Sequence, residues 1–261
     1  MQEDKRPTGE LGTELRAGVL WLTIQREERR NAMSHGVLAG MAEAIRAAQQ
    51  QPDVRAIVIT GAGAKAFCAG ADLQAAKAFT DDFSQPHGHL AQLLRAARAS
   101  HVPLIARVNG HCLAGGMGLL SMCDMAVAAS HASFGLPEVK LGLFPAQVLT
   151  ALQHLIPRRV LSEMCITGEP MTSAQALACG LVNYVDDDVD AKLQWLLNRI
   201  LDKSPAAIRR GIYTMKAVQT MAFEESMAFT ESQIALLTLT EDAQEGQKAF
   251  QEKRKPVWSG R

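Results

Sequence analysis

Glu138 is the carboxylate whose setting most invites acid–base chemistry. It lies in Phe134-Gly135-Leu136-Pro137-Glu138-Val139-Lys140-Leu141-Gly142-Leu143-Phe144-Pro145, beside a proline and among apolar residues. Such surroundings disfavour the charged form and raise the pKa toward values useful for moving protons. From the sequence alone, a solvated surface glutamate is the commoner alternative. Two glycine-bearing segments could supply a complementary group. One is Lys65-Ala66-Phe67-Cys68-Ala69-Gly70-Ala71-Asp72-Leu73. The other is Asn109-Gly110-His111-Cys112-Leu113-Ala114-Gly115-Gly116-Met117-Gly118. Their small residues allow another group to approach the backbone closely. The second segment opens a helix, where free N–H groups and the helix dipole suit a developing oxyanion. The alternative is that these glycines only permit tight packing.

Other chemistries find little support. Gly61-Ala62-Gly63 lacks the third glycine of a dinucleotide fingerprint, and no Walker-type lysine motif follows it. No nucleophile triad can be assembled from spacing. His111 reads as a packing residue, and His87 and His89 as solvated loop residues. Cys68 and Cys112, which flank the two turns, read as small hydrophobes rather than nucleophiles. The 5 cysteines are an odd count with no CxxC pair, which points to reduced thiols and to no metal site.

The elements that must position these residues follow from periodicity. The polar stretch Met1–Gly12 reads as loose. A β-branched run at Val19–Ile24 is the first strand signal. Asn31–Ser34 begins a helix whose stripe is Met33, Val37, Met41 and Ile45, and Gln51-Pro52-Asp53 stops it. Val54–Thr60 reads as a buried strand. A helix over His89–Ala99 then leads to strands at Leu104–Val108 and Met125–Ala129. The polar stretch Phe79–His89 before that helix reads as an exposed loop. Strands alternating with helices predict an α/β domain built from βαβ crossovers. From about Pro145 the signal is helical. Thr172 with Gln175 forms a capping box, Gly180 a helix stop, and Ser204-Pro205 an N-cap followed by proline at the first helical position.

Composition bounds the molecule. The chain has 261 residues, 27 basic against 27 acidic, with 48% hydrophobic residues. It can bury a large core, and its content of apolar residues excludes global disorder. A zero net charge argues against a nucleic-acid-binding face. No apolar run reaches the roughly 20 residues of a membrane span, and the charged N-terminus does not read as a signal peptide. A soluble, cytoplasmic protein is expected.

The motifs Ala69-Gly70-Ala71-Asp72, Asn109-Gly110 with Ala114-Gly115-Gly116, Cys123-Asp124 and Pro137-Glu138 with Leu141-Gly142 occur in an order and spacing that resembles the enoyl-CoA hydratase/isomerase (crotonase) superfamily. The likeness runs from Val19 to Lys253-Arg254-Lys255-Pro256. It implies a spiral of ββα units over residues 13–200 and a C-terminal helical region over 201–261, assembling as a homotrimer or homohexamer. It implies an acyl-CoA substrate, no cofactor beyond the CoA that the substrate carries, and a role in fatty-acid metabolism.

By motif match, the resemblance assigns the backbone N–H groups of Ala71 and Gly115 to the thioester oxyanion and Glu138 to acid–base catalysis. CoA contacts are expected from Ala69, Ala71, Leu73, Gly116, Arg30 and Lys253, the last either this or a solvated tail charge. Asp124 is expected to be structural. Two positions depart from the family. Many hydratases carry a glutamate where this chain has Gly118, so the usual carboxylate pair is reduced to one. Pro145-Ala146-Gln147-Val148-Leu149 replaces a glycine-rich helix start and should reshape the acyl pocket. The resemblance implies a hydratase that adds water across the 2,3 double bond through an enolate. A Δ3-Δ2 isomerase with Glu138 as single proton shuttle, and an acyl-CoA-binding protein with little catalysis, remain as alternatives.

Overall fold

A computed structural model describes residues 9–72 and 84–261. Strands β1 (Leu11–Arg16) and β2 (Val19–Ile24) form an antiparallel hairpin around Ala17-Gly18. The sequence reading left Leu11 and Gly12 in a loose stretch. Most of β1 is solvent-exposed, so it carries no period-2 signal and is held by pairing with β2 at the sheet edge. Helix α1 (His35–Ala48) is capped by the Ser34 hydroxyl, which accepts the Val37 N–H at 3.2 Å. It buries Val37, Met41 and Ile45. Met33, expected on that stripe, instead lies before the cap, in a bridge to Ala71.

Three strand pairs follow. They are β3 (Ala56–Gly61) with β4 (Ala66–Cys68), β5 (Leu104–Val108) with β6 (His111–Leu113), and β7 (Met125–Ala129) with β8 (Ser133–Gly135). Helix α2 (His89–Ala99) precedes the second pair, and α3 (Gly115–Ser121) follows it. The first member of each pair enters a six-stranded sheet of order β1-β2-β3-β5-β7-β10, whose strands from β2 onward run parallel. The second member enters a four-stranded sheet, β4-β6-β8-β9. Beyond β8 come α4 (Ala146–Leu152), α5 (Arg158–Thr167), β9 (Met171–Thr172), α6 (Ser173–Ala178), β10 (Tyr184–Asp186) and α7 (Val189–Leu201). The region after Pro145 is thus not wholly helical. β9 and β10 are two and three residues long, too short to show a period, and exist because a neighbouring strand offers pairing.

Both faces of the large sheet are buried, as a parallel sheet requires. Ile57 and Ile59 face the main core with Leu22, Ile24, Met41, Phe67 and Phe134. The alternate residues Ala56 and Val58 face Leu193, Leu197 and Ile200 of α7. The tail forms α8 (Pro205–Val218), α9 (Phe223–Thr238) and α10 (Glu241–Gln251). Asp124 and Arg209 help fasten it to the core, Arg209 of α8 donating to the Gln49, Gln51 and Val54 carbonyls at 3.1, 2.8 and 2.9 Å, and Asp242 ties the tail's own helices together. Asp124 accepts the Leu104 N–H at 2.8 Å and pairs with Lys216 of α8 at 3.1 Å, which is the structural role expected of it. Asp242 of α10 accepts from the Ser204 hydroxyl and from the N–H groups of Ala206, Ser259 and Gly260. Among the described residues, no helix is long and apolar enough to cross a membrane.

Candidate active site

The first turn of the site is built by a parallel bridge. The Met33 N–H donates to the Gly70 carbonyl at 2.8 Å, and the Asp72 N–H donates to the Met33 carbonyl at 3.1 Å. In a parallel pairing of this phase, the residue between the two bonded positions turns its own N–H to the opposite edge. That residue is Ala71, so its N–H points away from Met33. Gly70 makes the turn with φ +99°, a conformation costly for any residue with a Cβ.

The second turn faces the first. β4 and β6 are adjacent parallel strands, and each releases its chain at the same end. After β6, the Ala114 N–H donates to the Gly135 carbonyl at 2.9 Å, and Ala114 adopts φ 51°, ψ −124°. Such a backbone costs a non-glycine residue about 1–3 kcal/mol, and here it aims the start of α3 across the gap. A methyl placed on Gly115 would lie 3.8 Å from the Ala71 nitrogen and 2.7 Å from the Met33 terminal methyl. A methyl on Gly70 would lie 3.3 Å from the Gly115 nitrogen. Neither the Ala71 nor the Gly115 N–H has a hydrogen-bond acceptor among the described residues. Two adjacent, unspent backbone donors can hold an oxygen that gains negative charge.

Gly116 has a different surrounding. A Cβ there would overlap the carbonyl oxygen of Cys68, so this glycine lets α3 pack on β4, and its α-carbon faces protein rather than open space. Ala69 spends its N–H on the Arg30 carbonyl at 3.1 Å, which leaves its carbonyl as the group able to meet a ligand. The Arg30 side chain is exposed beside that turn. Leu73 lies outside the described residues. Lys253 is exposed just past α10, an element that packs on α8 and α9.

Glu138 reaches the site through β8. The β6–β8 register sets Leu113 beside Gly135, and the 3-10 turn Pro137–Leu141 follows directly. The Leu143 N–H closes that turn on the Glu138 carbonyl at 3.0 Å. The side chain is half-buried, and its Oε2 is enclosed with no hydrogen-bond partner among the described residues. Burial pushes this carboxyl above the usual glutamate range. Cys165 of α5 lies near enough that the Glu138 charge, after burial, helps raise its thiol. A cavity of about 370 Å³ beside Cys165 is lined by Phe144, Leu149, Leu161 and Ile166, with Arg158 and Gln153 at its polar part.

The space around Gly118, where the resemblance leads a second carboxylate to be expected, is apolar. A methyl on Gly118 would meet Val148 of α4 at 3.4 Å and Leu90 of α2 at 3.9 Å. Val148 belongs to the segment expected to reshape the acyl pocket, whereas Met33, Leu90 and Cys165 were not singled out by the sequence as site residues. Their types are ordinary core types, and only tertiary packing brings them to the turns. His111, expected to pack, is instead exposed, and its Nδ1 hydrogen-bonds the Ser133 hydroxyl at 2.6 Å. His89 stacks on His35 with centroids 4.6 Å apart instead of standing alone in solvent. Cys68 and Cys112 are fully buried, and burial pushes the Cys68 thiol up to about 12. Neither is available as a nucleophile. Among the described residues, no group of three or more His, Cys, Asp or Glu side chains is placed to hold a metal ion.

Known proteins resemble this chain in sequence and fold. The Enoyl-CoA hydratase/isomerase family model matches residues 14–261. A 2,3-dehydroadipyl-CoA hydratase of Escherichia coli (strain K12) is 35% identical over 247 residues, spanning 93% of this chain and 96% of its own. A carnitinyl-CoA dehydratase of Salmonella typhi is 35% identical over 253 residues, 93% of this chain and 95% of its own. The crystal structure of an enoyl-CoA hydratase from Mycobacterium smegmatis superposes with a TM-score of 0.90 at 32% identity, covering 96% of this chain and 99% of that one. An enoyl-CoA hydratase from Bacillus anthracis gives 0.90 at 27% identity, covering 97% and 100%. Paired strands that feed two sheets, matched over nearly the whole chain, make this the crotonase fold, and the chain belongs to the enoyl-CoA hydratase/isomerase family of enzymes.

Proposed function

We propose that the protein hydrates a 2-enoyl-CoA thioester. The observation that carries this reading is the pair of facing, unspent N–H groups on Ala71 and Gly115, with a single half-buried carboxylate, Glu138, tied to the same turn by the β6–β8 register. The substrate carbonyl oxygen sits between the two donors. Glu138 takes a proton from water as the water oxygen bonds to C3. The C2–C3 π electrons move onto the thioester, and the resulting enolate oxygen is held by the two N–H groups. The protonated Glu138 then delivers its proton to C2. Water has been added, the carboxylate is restored, and no cofactor is consumed. Each oxyanion donor can contribute about 10²–10³ in rate. The names of the Escherichia coli and Salmonella relatives, a hydratase and a dehydratase of CoA thioesters, support water chemistry at such a site.

A second reading has its own observation. Gly118 and the apolar Val148 and Leu90 leave the site one carboxylate among the described residues. One carboxylate and an oxyanion hole suffice to take a proton from C2 of a 3-enoyl-CoA, with the dienolate held by the two N–H groups, and to return it at C4, which is isomerisation. Turnover of 2-enoyl- and 3-enoyl-CoA in ¹⁸O-labelled, deuterated water separates the two. Label on C3 of the product supports the hydratase, and bond migration without oxygen incorporation replaces it with the isomerase. Glu138→Gln is expected to lower kcat/KM at least ~10²-fold in either case. Unchanged turnover would remove Glu138 from the chemistry. Assembly as a homotrimer or homohexamer, with Lys253 near the CoA phosphates, is part of the same proposal.

A further inference from the structure

We infer that Arg26 is a positioning residue that holds the Ala71 N–H on the oxyanion, acting through Ala32 and Asp72; this rests on the oxyanion-hole reading above. Arg26 follows β2 and is 9% exposed. Its backbone N–H is fixed by the Asn31 carboxamide at 3.2 Å. Each edge of its guanidinium is occupied. Nη1 donates to the Ala32 carbonyl at 2.6 Å, Nη2 to Asp72 Oδ2 at 2.6 Å, and Nε pairs with Glu10 at 2.8 Å. Ala32 immediately precedes Met33, and Asp72 immediately follows Ala71. One rigid, planar cation therefore spans the two strands of the Met33–Ala71 bridge, one residue outside it on each side. Among the described residues the bridge has two hydrogen bonds, with a third from the Ala69 N–H to the Arg30 carbonyl before it, and none of them holds the chain on the Asp72 side of Ala71 beyond the bridge. A forked, charge-assisted clamp supplies that hold.

The geometry also explains why the residue must be arginine. Lysine carries a single point charge and cannot donate in plane to a carbonyl and a carboxylate on diverging chains. Asn31 strengthens the same frame from the other side. It is fully buried, and its amide donates to the Ala62 and Ala66 carbonyls at 2.9 and 2.6 Å. No other described group bonds both Ala32 and Asp72.

The test uses the full chain and a cinnamoyl-CoA probe, whose absorbance moves to the red when its thioester carbonyl is polarised. Wild type, Arg26→Lys, Asp72→Asn and the double variant are compared. Arg26→Lys keeps the cation, and Asp72→Asn keeps an acceptor of the same shape, so one folded variant remains available if the other unfolds. Expected for each folded single variant is at least half the red shift lost and kcat lowered ~10-fold or more, with KM within about 3-fold. The double variant should cost no more than the worse single one, because both act on the same amide. A full red shift and unchanged kcat in variants that melt at lower temperature would mean a structural role only and would overturn the inference. Additive losses would overturn the route through Asp72. No red shift in wild type would bring down the oxyanion-hole reading itself, a result distinct from either of these.

Discussion

The proposed mechanism asks Glu138 to serve as base and then as acid, and its surroundings fit that use. Burial favours its neutral form, so its pKa lies above that of an unfolded chain. The folded state then binds the proton more tightly than the unfolded one. Stability contributed by this group is present below the ordinary glutamate pKa and is lost as pH rises through the raised value. Glu138→Gln should therefore melt higher than wild type at pH 7, and the advantage should vanish at pH 4 while activity stays low. Equal melting temperatures at both pH values would refute the buried-carboxylate account. The two adjacent glycines make a second test at this scale. In Gly115→Ala the new methyl meets the flexible end of Met33, so the protein should fold while kcat/KM falls ~10²-fold or more. In Gly116→Ala the methyl meets the Cys68 backbone carbonyl, so stability should fall by about 1–3 kcal/mol. Thermal melts beside kinetics distinguish them, and a reversed pattern would show that Gly116, not Gly115, borders the substrate.

At the scale of elements, the site depends on how short strands are joined. β4, β6 and β8 have three residues each and could not persist alone. Side by side in the small sheet, they set both turns and the Glu138 turn at one end. The tail depends on a different device. Asp242 sits in the first turn of α10, where the helix dipole favours an anion. Burial would push its carboxyl up, yet donors from Ser204, Gly260, Ala206 and Ser259 outweigh that and hold it below the usual aspartate range. Its folded-state pKa is thus depressed, and its stabilisation is present above the ordinary aspartate pKa and lost as pH falls through the lower one. Asp242→Asn should cost about 1–3 kcal/mol at neutral pH, with the difference from wild type shrinking in acid. Denaturant unfolding at pH 7 and pH 3 measures this, and a pH-independent difference would show that the charge does not matter.

At the scale of the molecule, apolar surface is unevenly placed. Phe223 is 73% exposed, Leu239 72% and Phe250 85%, and all lie on α9, α10 or the turn between them. Large apolar side chains left exposed on these C-terminal helices are available for burial against another subunit. Together with the proposed trimer, this predicts that sedimentation will give a mass of three or six chains of 28.2 kDa. Leu239→Glu with Phe250→Glu should lower that mass. A monomeric wild type would remove the assembly from the proposal.

Much of this protein is legible in its sequence, for identifiable reasons. The bounds of α2, β5 and β7 were read correctly because helical spacing in α2, short apolar runs in the two strands and Pro103 before β5 are local signals. The Thr172–Gln175 capping box and the Ser204 N-cap were read because a cap is a contact between near neighbours. Glu138 and the two turns stood out because acid–base chemistry and close backbone approach need particular residue types. β1, β9 and β10 did not stand out, because each exists only as another strand's partner. The same holds for Met33, which looks like a helix-stripe residue and becomes the strand that aims Ala71. It holds for Arg26, which nothing in the local sequence singles out and which Asp72, 46 residues away, makes part of the site. Residue type and short-range spacing determine which groups can do chemistry. Only tertiary structure decides where their dipoles point, because the direction of a backbone N–H is set by whatever pairs with the chain on either side of it.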